Sequence, residues 1–159
     1  MSPVGGIEAS ALGQALRQSE WLYPVVKAIH LAGIALLLST IAVLDLRLLG
    51  LRRSVSVKRL AARVLPWSAG AFLLIVPSGL VMFTAHASTL IASPVFALKI
   101  CLIMGAGVNA ALFHAGVFRV ASAWDLNAKP PAAARAAAAI SLGIWSGVAA
   151  CGLLLAREF

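Results

Sequence analysis

Residues 21–49 read WLYPVVKAIHLAGIALLLSTIAVLDLRLL, and only Lys27, His30, Asp45 and Arg47 in this stretch can be charged near neutral pH. A helix of about 20 predominantly apolar residues is long enough to cross the hydrocarbon of a bilayer, so the stretch predicts a transmembrane span. Trp21 and Tyr23 stand where aromatic rings anchor at headgroups, and Pro24 suits a first helical turn. Working outward, residues 64–86, 94–120 and 136–155 repeat the pattern. Pro66 and Trp67 open the second stretch, and Pro77 and Gly79 near its middle predict a kink, since proline removes a backbone hydrogen bond. Ser93-Pro94 supplies an N-cap and a first-turn proline for the third. The residues from Trp124 to Pro131 then break the helix.

The composition agrees. The chain has 159 residues, 62% of them hydrophobic and 11% charged, with mean hydropathy +0.99. A soluble domain carries about 25% charged residues; the difference fits helices whose outer faces meet lipid. The expected fold is all-α: an integral membrane, up-down-up-down four-helix bundle forming one domain over residues 1–159. Ahead of it, Ile7, Ala11, Leu12 and Leu16 share a face opposite Glu8, Gln14 and Arg17. That pattern predicts a short interfacial helix to about Glu20, with a disordered tail as the alternative.

The net charge of +8 has a location. Arg47, Arg52, Arg53, Lys58, Arg59 and Arg63 crowd one connection, and Arg119, Lys129 and Arg135 flank another. Nine of the 13 basic residues thus sit in two loops, which orients a multi-spanning protein with those loops in the cytoplasm. Both termini are then expected on the periplasmic side of a bacterial inner membrane. Clustered beside lipid, these charges point to the bilayer rather than to nucleic acid. Cys101 and Cys151 lie within apolar stretches and do not read as a disulfide framework. Residues 1–19 lack the basic start and small-residue cleavage site of a secretory signal, so the first span is expected to persist as an uncleaved anchor.

Ionisable groups inside lipid are costly and need a reason. Tyr23, Lys27 and His30 share a helical face, and His86 and Lys99 approach from the same side. Met82, Cys101 and Met104 add soft ligands at similar depth. Thioether, thiol and imidazole together suit copper(I), with His30, Met82, His86, Cys101 and Met104 as its ligands. A pair of histidines suits a b-type haem, with Lys27 or Lys99 for a propionate. The bland alternative has the sulfur residues filling space and the lysines snorkelling. Depth limits the haem readings: His30 and His114 differ by about 16 Å along the membrane normal, and His30 and His86 by about 10 Å. Three histidines also cannot serve two bis-histidine haems.

Near the basic loops a second group comprises Asp45, Arg47, Asn109, His114 and Arg119. Pairing of Asp45 with Arg47, Arg119 or His114 makes a structural clasp, weighed against a proton or quinone site. Ala139, Gly143, Gly147 and Cys151 form a small-residue stripe that lets helices approach closely, within the bundle or against a second protomer.

Trp21-Leu22-Tyr23-Pro24, Ile29-His30-Leu31-Ala32-Gly33 and Asp45-Leu46-Arg47-Leu48-Leu49-Gly50 resemble a family of small bacterial four-helix inner-membrane proteins of unknown function. Phe96-Ala97-Leu98-Lys99, Asn109 and Phe113-His114 match later parts of that pattern; His86 does not belong to it. The likeness covers Trp21 to about Arg119. More loosely, the chain is similar to the CopD copper-resistance membrane domain and to four-helix cytochromes b.

Three expectations follow. The first is a redox or electron-transfer protein or complex subunit, with a b-type haem or quinone-linked site near His30 and His86, Lys99 and His114 as further cofactor residues. The second is a copper-handling protein. The third is a cofactor-free subunit that docks other membrane subunits, or a second copy, through the Gly143/Gly147 stripe. No nucleophile with an adjacent base, phosphate loop or paired carboxylates supports catalysis.

Overall fold

A computed structural model describes residues 3–157. Four long helices carry the spans: α3 (Leu22–Leu48), α4 (Val57–Ala85), α6 (Pro94–Ala115) and α7 (Ala132–Leu155). Shorter helices precede and link them: α1 (Pro3–Glu8), α2 (Ala11–Gln18) and α5 (Ala87–Ala92), with a 3₁₀ turn over Val117–Ala123. All four long helices are apolar and long enough to cross a membrane, so this is an all-α integral membrane bundle.

The helix bounds differ from the apolar stretches in instructive ways. Helix α4 starts at Val57, not near residue 64, because Ser56 caps it by accepting a hydrogen bond from the Arg59 amide at 3.1 Å. Its 29 residues make about 43 Å of helix, longer than the hydrocarbon, so the basic first turns project beyond it. The helix continues without interruption through Pro66 and Pro77. Helix α6 stops at Ala115, where Gly116 leaves helical geometry, and the chain tightens into the 3₁₀ turn. The N-terminal stretch forms two helices, broken at Ser10, whose hydroxyl accepts from the Gly13 amide at 3.2 Å.

Packing builds the bundle from two hairpins, α3/α4 and α6/α7, joined along α3 and α7. In the first hairpin, His30 faces Ser78, Gly33 faces Ile75 and Thr40 faces Ser68, a single antiparallel register. Gly33 is needed there: a Cβ would stand 2.8 Å from the Ile75 side chain and 3.4 Å from the Ala71 carbonyl. On the fourth side of the square α4 and α6 stand further apart, with no Cα of one within 8 Å of one in the other. Phe83 and Phe96 bridge it at the end away from the basic loops, with stacked rings 6.0 Å apart. A buried apolar cluster lies at the basic end, around Leu44, Leu48, Val57, Phe113 and Trp124.

Helices α1 and α2 fold over the opposite end. Arg17 donates to the Ala85 carbonyl at 3.0 Å and to the Glu8 carbonyl at 2.6 Å. The Glu8 carboxylate in turn accepts from the Ser88 amide and hydroxyl at 2.7 and 2.6 Å. Gly13 lies so close to α4 that a Cβ would meet the Thr84 carbonyl at 2.6 Å. The segment is therefore a fitted cap on α4 and α5, with Leu16 buried beneath it.

Candidate functional site

The most distinctive cavity, about 380 Å³, lies between the four long helices in the half nearer the basic loops. Its volume is within the roughly 300–1,000 Å³ common for small-molecule sites. Helix α3 contributes Thr40 and Asp45, α4 contributes Ser68 and Phe72, α6 contributes Asn109, Phe113 and His114, and α7 contributes Ser141 and Trp145. Aliphatic side chains such as Leu37, Leu44 and Ile103 fill the rest of the wall. Phe72 and Trp145 meet edge to face, with centroids 6.3 Å apart.

Asp45 is the unusual member. It is 94% buried (6% exposed), and among the described residues it forms no ion pair and its Oδ2 has no hydrogen-bond partner; Ser141 is a polar neighbour of the carboxyl. Buried polar atoms nearly always find partners, so such an oxygen calls for an explanation. Asn109 donates to the Ala137 carbonyl at 3.0 Å, which fastens α6 to α7. His114 Nδ1 bonds the Ala110 carbonyl at 2.9 Å, and its ring packs against Phe113 and Phe118. Thr40 and Ser68 share a hydrogen bond of 2.8 Å across α3 and α4.

Of the expected polar cluster, Asp45, Asn109 and His114 share this cavity, whereas Arg47 and Arg119 do not line it. Arg47 is 2% exposed and turns to the loops. It donates to the carbonyls of Val55 at 2.6 Å, Asp125 at 3.0 Å and Arg53 at 3.2 Å. Asp125 completes the clasp from the other loop: its carboxylate accepts from the Ser56 hydroxyl at 2.7 Å and the Lys58 amide at 2.8 Å. These bonds tie Arg47 to the loops, and among the described residues none of them is the expected pairing of Asp45 with Arg47, Arg119 or His114. Arg119 is exposed.

The other histidines do different work. His30 Nδ1 lies 2.9 Å from the Ser78 hydroxyl, and the ring edge rests where a Gly79 Cβ would come within 3.0 Å. His30 is thus a joint between α3 and α4, and Lys99 is close enough for their charges to interact. Lys99 Nζ lies beside Gly152 of α7. His86 stands eight residues beyond Ser78 along α4, about 12 Å further out, and meets Tyr23 edge to face at 5.4 Å. Burial holds the His86 pKa below its ordinary value; the Arg17 charge adds to this and Glu8 opposes it.

The soft-ligand set is dispersed. Cys101 is exposed and Met104 is 66% exposed on the outer face of α6, while Met82 is half-buried on α4. Among the described residues no three His, Cys, Asp or Glu side chains gather as metal ligands. The small-residue stripe divides as well: Gly147 packs against Leu102 at 3.1 Å from a notional Cβ, whereas Gly143 has nothing within 4 Å.

Sequence reasoning did not find Ser141, Trp145, Thr40 or Ser68 as wall residues, nor Asp125 as the partner of the α4 cap. Asp125 alone carried a signal, as an acid in a connection otherwise full of cations.

No protein-family model matches the chain, and no curated protein or solved structure matches it either.

Proposed function

We propose that this small integral membrane protein binds a membrane-soluble, ring-bearing molecule of the quinone-linked kind in the cavity beside Asp45. The observation that carries the reading is the Asp45 carboxyl oxygen, buried and unpartnered on a cavity wall that also presents Asn109 and His114. Aromatic residues offer flat apolar contact, a few polar groups converge at one end, and the wider spacing of α4 from α6 makes that side the route we assign from lipid. The Asp45–Gly50 string that carries the resemblance to small bacterial inner-membrane proteins supplies both the cavity's acid and, in Arg47, the anchor of the loops.

A haem or copper ion at His30 fits less well. One ring nitrogen is engaged by Ser78, the ring edge is pressed on Gly79, and His86 stands at another level. The sulfur residues do not surround it. The quinone-linked part of a redox role is therefore retained, moved from His30 to the cavity. The same reading places the basic loops on the cytoplasmic side of a bacterial inner membrane and leaves Gly143 and the outer face of α6 for lipid, another subunit or a second copy.

Photolabelling tests the site. An aryl-diazirine probe added to the protein in lipid nanodiscs should label the walls contributed by α3, α6 and α7. Gly107→Phe, at a cavity-lining position where a Cβ meets nothing within 4 Å, should suppress that labelling without loss of helicity. Labelling spread evenly over lipid-facing residues, unaffected by the substitution, would refute the proposal.

A further inference from the structure

The hydrogen-bonding capacity left on the cavity wall is mostly of one kind, acceptors on Asp45, Asn109 and His114 against a single indole N–H on Trp145. Ala137 offers Asn109 a carbonyl, so the amide must present its N–H there and keep its own oxygen unspent. Ala110 likewise offers His114 only a carbonyl, so Nδ1 carries the proton. In the neutral ring Nε2 is then a bare acceptor. Asp45 Oδ2 has no partner, and a carboxyl group retains acceptor capacity in either protonation state.

Most of the wall's donors are already committed. Thr40 and Ser68 bond each other and the carbonyls of Leu36, Leu37 and Val64, and Ser141 neighbours the Asp45 carboxyl; the Trp145 indole N–H is the donor left on the wall among the described residues. A ligand whose polar atoms only accept could use the Trp145 N–H alone; it would otherwise face acceptors and strand its remaining oxygen in an apolar surrounding, which costs about 1–3 kcal/mol for each such group. A ligand that donates would relieve the wall and itself together.

Building on the cavity reading above, we infer that the site selects hydrogen-bond donors. The favoured class is a neutral aromatic ring bearing hydroxyl groups, a hydroquinone rather than the quinone, whose carbonyls can only accept. An ammonium head would also donate, but this end of the molecule carries the two basic loops of a chain with net charge +8. Their positive potential disfavours a cation and leaves a neutral phenol unaffected. Phe72 and Trp145 supply the ring contacts, and the hydroxyls point to Asp45 and His114. The inference concerns binding alone.

Three compounds of nearly one shape test it: tetramethylhydroquinone kept anaerobic, tetramethylbenzoquinone, and 1,4-dimethoxytetramethylbenzene, which keeps the oxygens and has no donor. Equilibrium binding to the nanodisc-embedded protein is read against empty nanodiscs. Two neutral hydrogen bonds should give the hydroquinone an advantage of about tenfold or more over both others. Asp45→Leu or His114→Phe should each lower that preference several-fold. Equal binding of all three, or tighter binding of the quinone, overturns the donor inference and leaves the cavity reading standing. Binding of none of them, with no effect of Gly107→Phe on photolabelling, overturns the cavity reading and the inference with it. The wild-type comparison decides the matter even if a variant fails to assemble.

Discussion

The two ends of the bundle treat buried polar groups differently. Away from the basic loops, His30 is consumed by Ser78, Arg17 by the carbonyls of Ala85 and Glu8, and Glu8 by Ser88. Gly33 and Gly13 bring the backbones of neighbouring helices into close approach. Near the basic loops the helices separate around about 380 Å³, and Asp45 keeps an unspent oxygen on the wall. Polar atoms bonded across two helices describe a joint. Polar atoms left unpaired beside space describe a place where something else can bind.

The largest test of that contrast removes the group that holds the basic end shut below the cavity. Arg47 makes three hydrogen bonds to loop carbonyls from a site that is 2% exposed. Arg47→Met should keep the apolar stem, abandon three carbonyls and cost about 3 kcal/mol of stability. Thermal unfolding in detergent would show it. Arg47→Lys should recover only part, since a single ammonium cannot span the same spread of acceptors. If Arg47→Met melts with the wild type, the clasp contributes nothing and the basic end is held by apolar packing alone.

A pair of glycines sharpens the comparison. Gly33→Leu would push α3 from α4 against Ile75 and Ala71, costing about 2 kcal/mol by overpacking. Gly107→Leu, on the cavity wall, finds no atom within 4 Å of its Cβ and should leave the melting point nearly unchanged. Equal losses in both would mean that the cavity half is packed as tightly as the other.

How much of this was legible follows from the range over which each feature is determined. The four spans depend on composition within a window, so residues 21–49 announced α3 without knowledge of anything else. Asp45, Asn109 and His114, put at one level by counting depth from the helix ends, line one cavity. Partners cannot be counted in that way. Asp45 and Arg47 are two residues apart and point to different sides of α3, a geometry that already argued against their pairing. The bond from His30 to Ser78 depends on the register of α3 against α4, which Gly33 and Ala71 set by shape and no motif encodes. The same holds for Ser141 and Trp145, ordinary residues until two hairpins place them around one space. The N-terminal helices were expected as an interfacial segment; their fit depends on Thr84 and Ser88, more than 60 residues away in sequence.

A smaller effect tests whether the basic-end clasp is electrostatic. Burial acts to raise the Asp125 pKa, but the Lys58 amide, the Ser56 hydroxyl, the Lys58 charge and the Val57 amide outweigh it and hold the carboxyl below its ordinary 3.8. The anion is thus favoured by folding. Its contribution is complete well above pH 4 and is lost as the pH falls below the ordinary value and through the lower folded one. Asp125→Asn should lower the melting point modestly at pH 7, by the worth of a weakened helix cap, about 1 kcal/mol. Near pH 3 the difference from wild type should shrink. A constant difference across that range would assign the role to shape rather than charge.

The smallest expected effect concerns the cap at the other end, where two groups titrate in sequence. His86 is held below its ordinary 6.5, by burial first and the Arg17 charge second, so the capped state disfavours its protonation. The corresponding stability is full above about pH 6.5 and declines as the pH falls through the lower folded value, because the released segment takes the proton first. Glu8 is held below its ordinary 4.5 chiefly by the Ser88 hydroxyl and amide, so its hold on α5 weakens only at a lower pH. Acidification should therefore loosen α1 and α2 in two stages while the four spans stay intact. Hydrogen exchange at the Gly13 and Ser88 amides can follow both. His86→Phe should abolish the first stage and Glu8→Gln the second. Survival of the first stage in His86→Phe would show that the cap responds to acid through Glu8 alone, making the Tyr23–His86 contact a packing feature like the rest of that end.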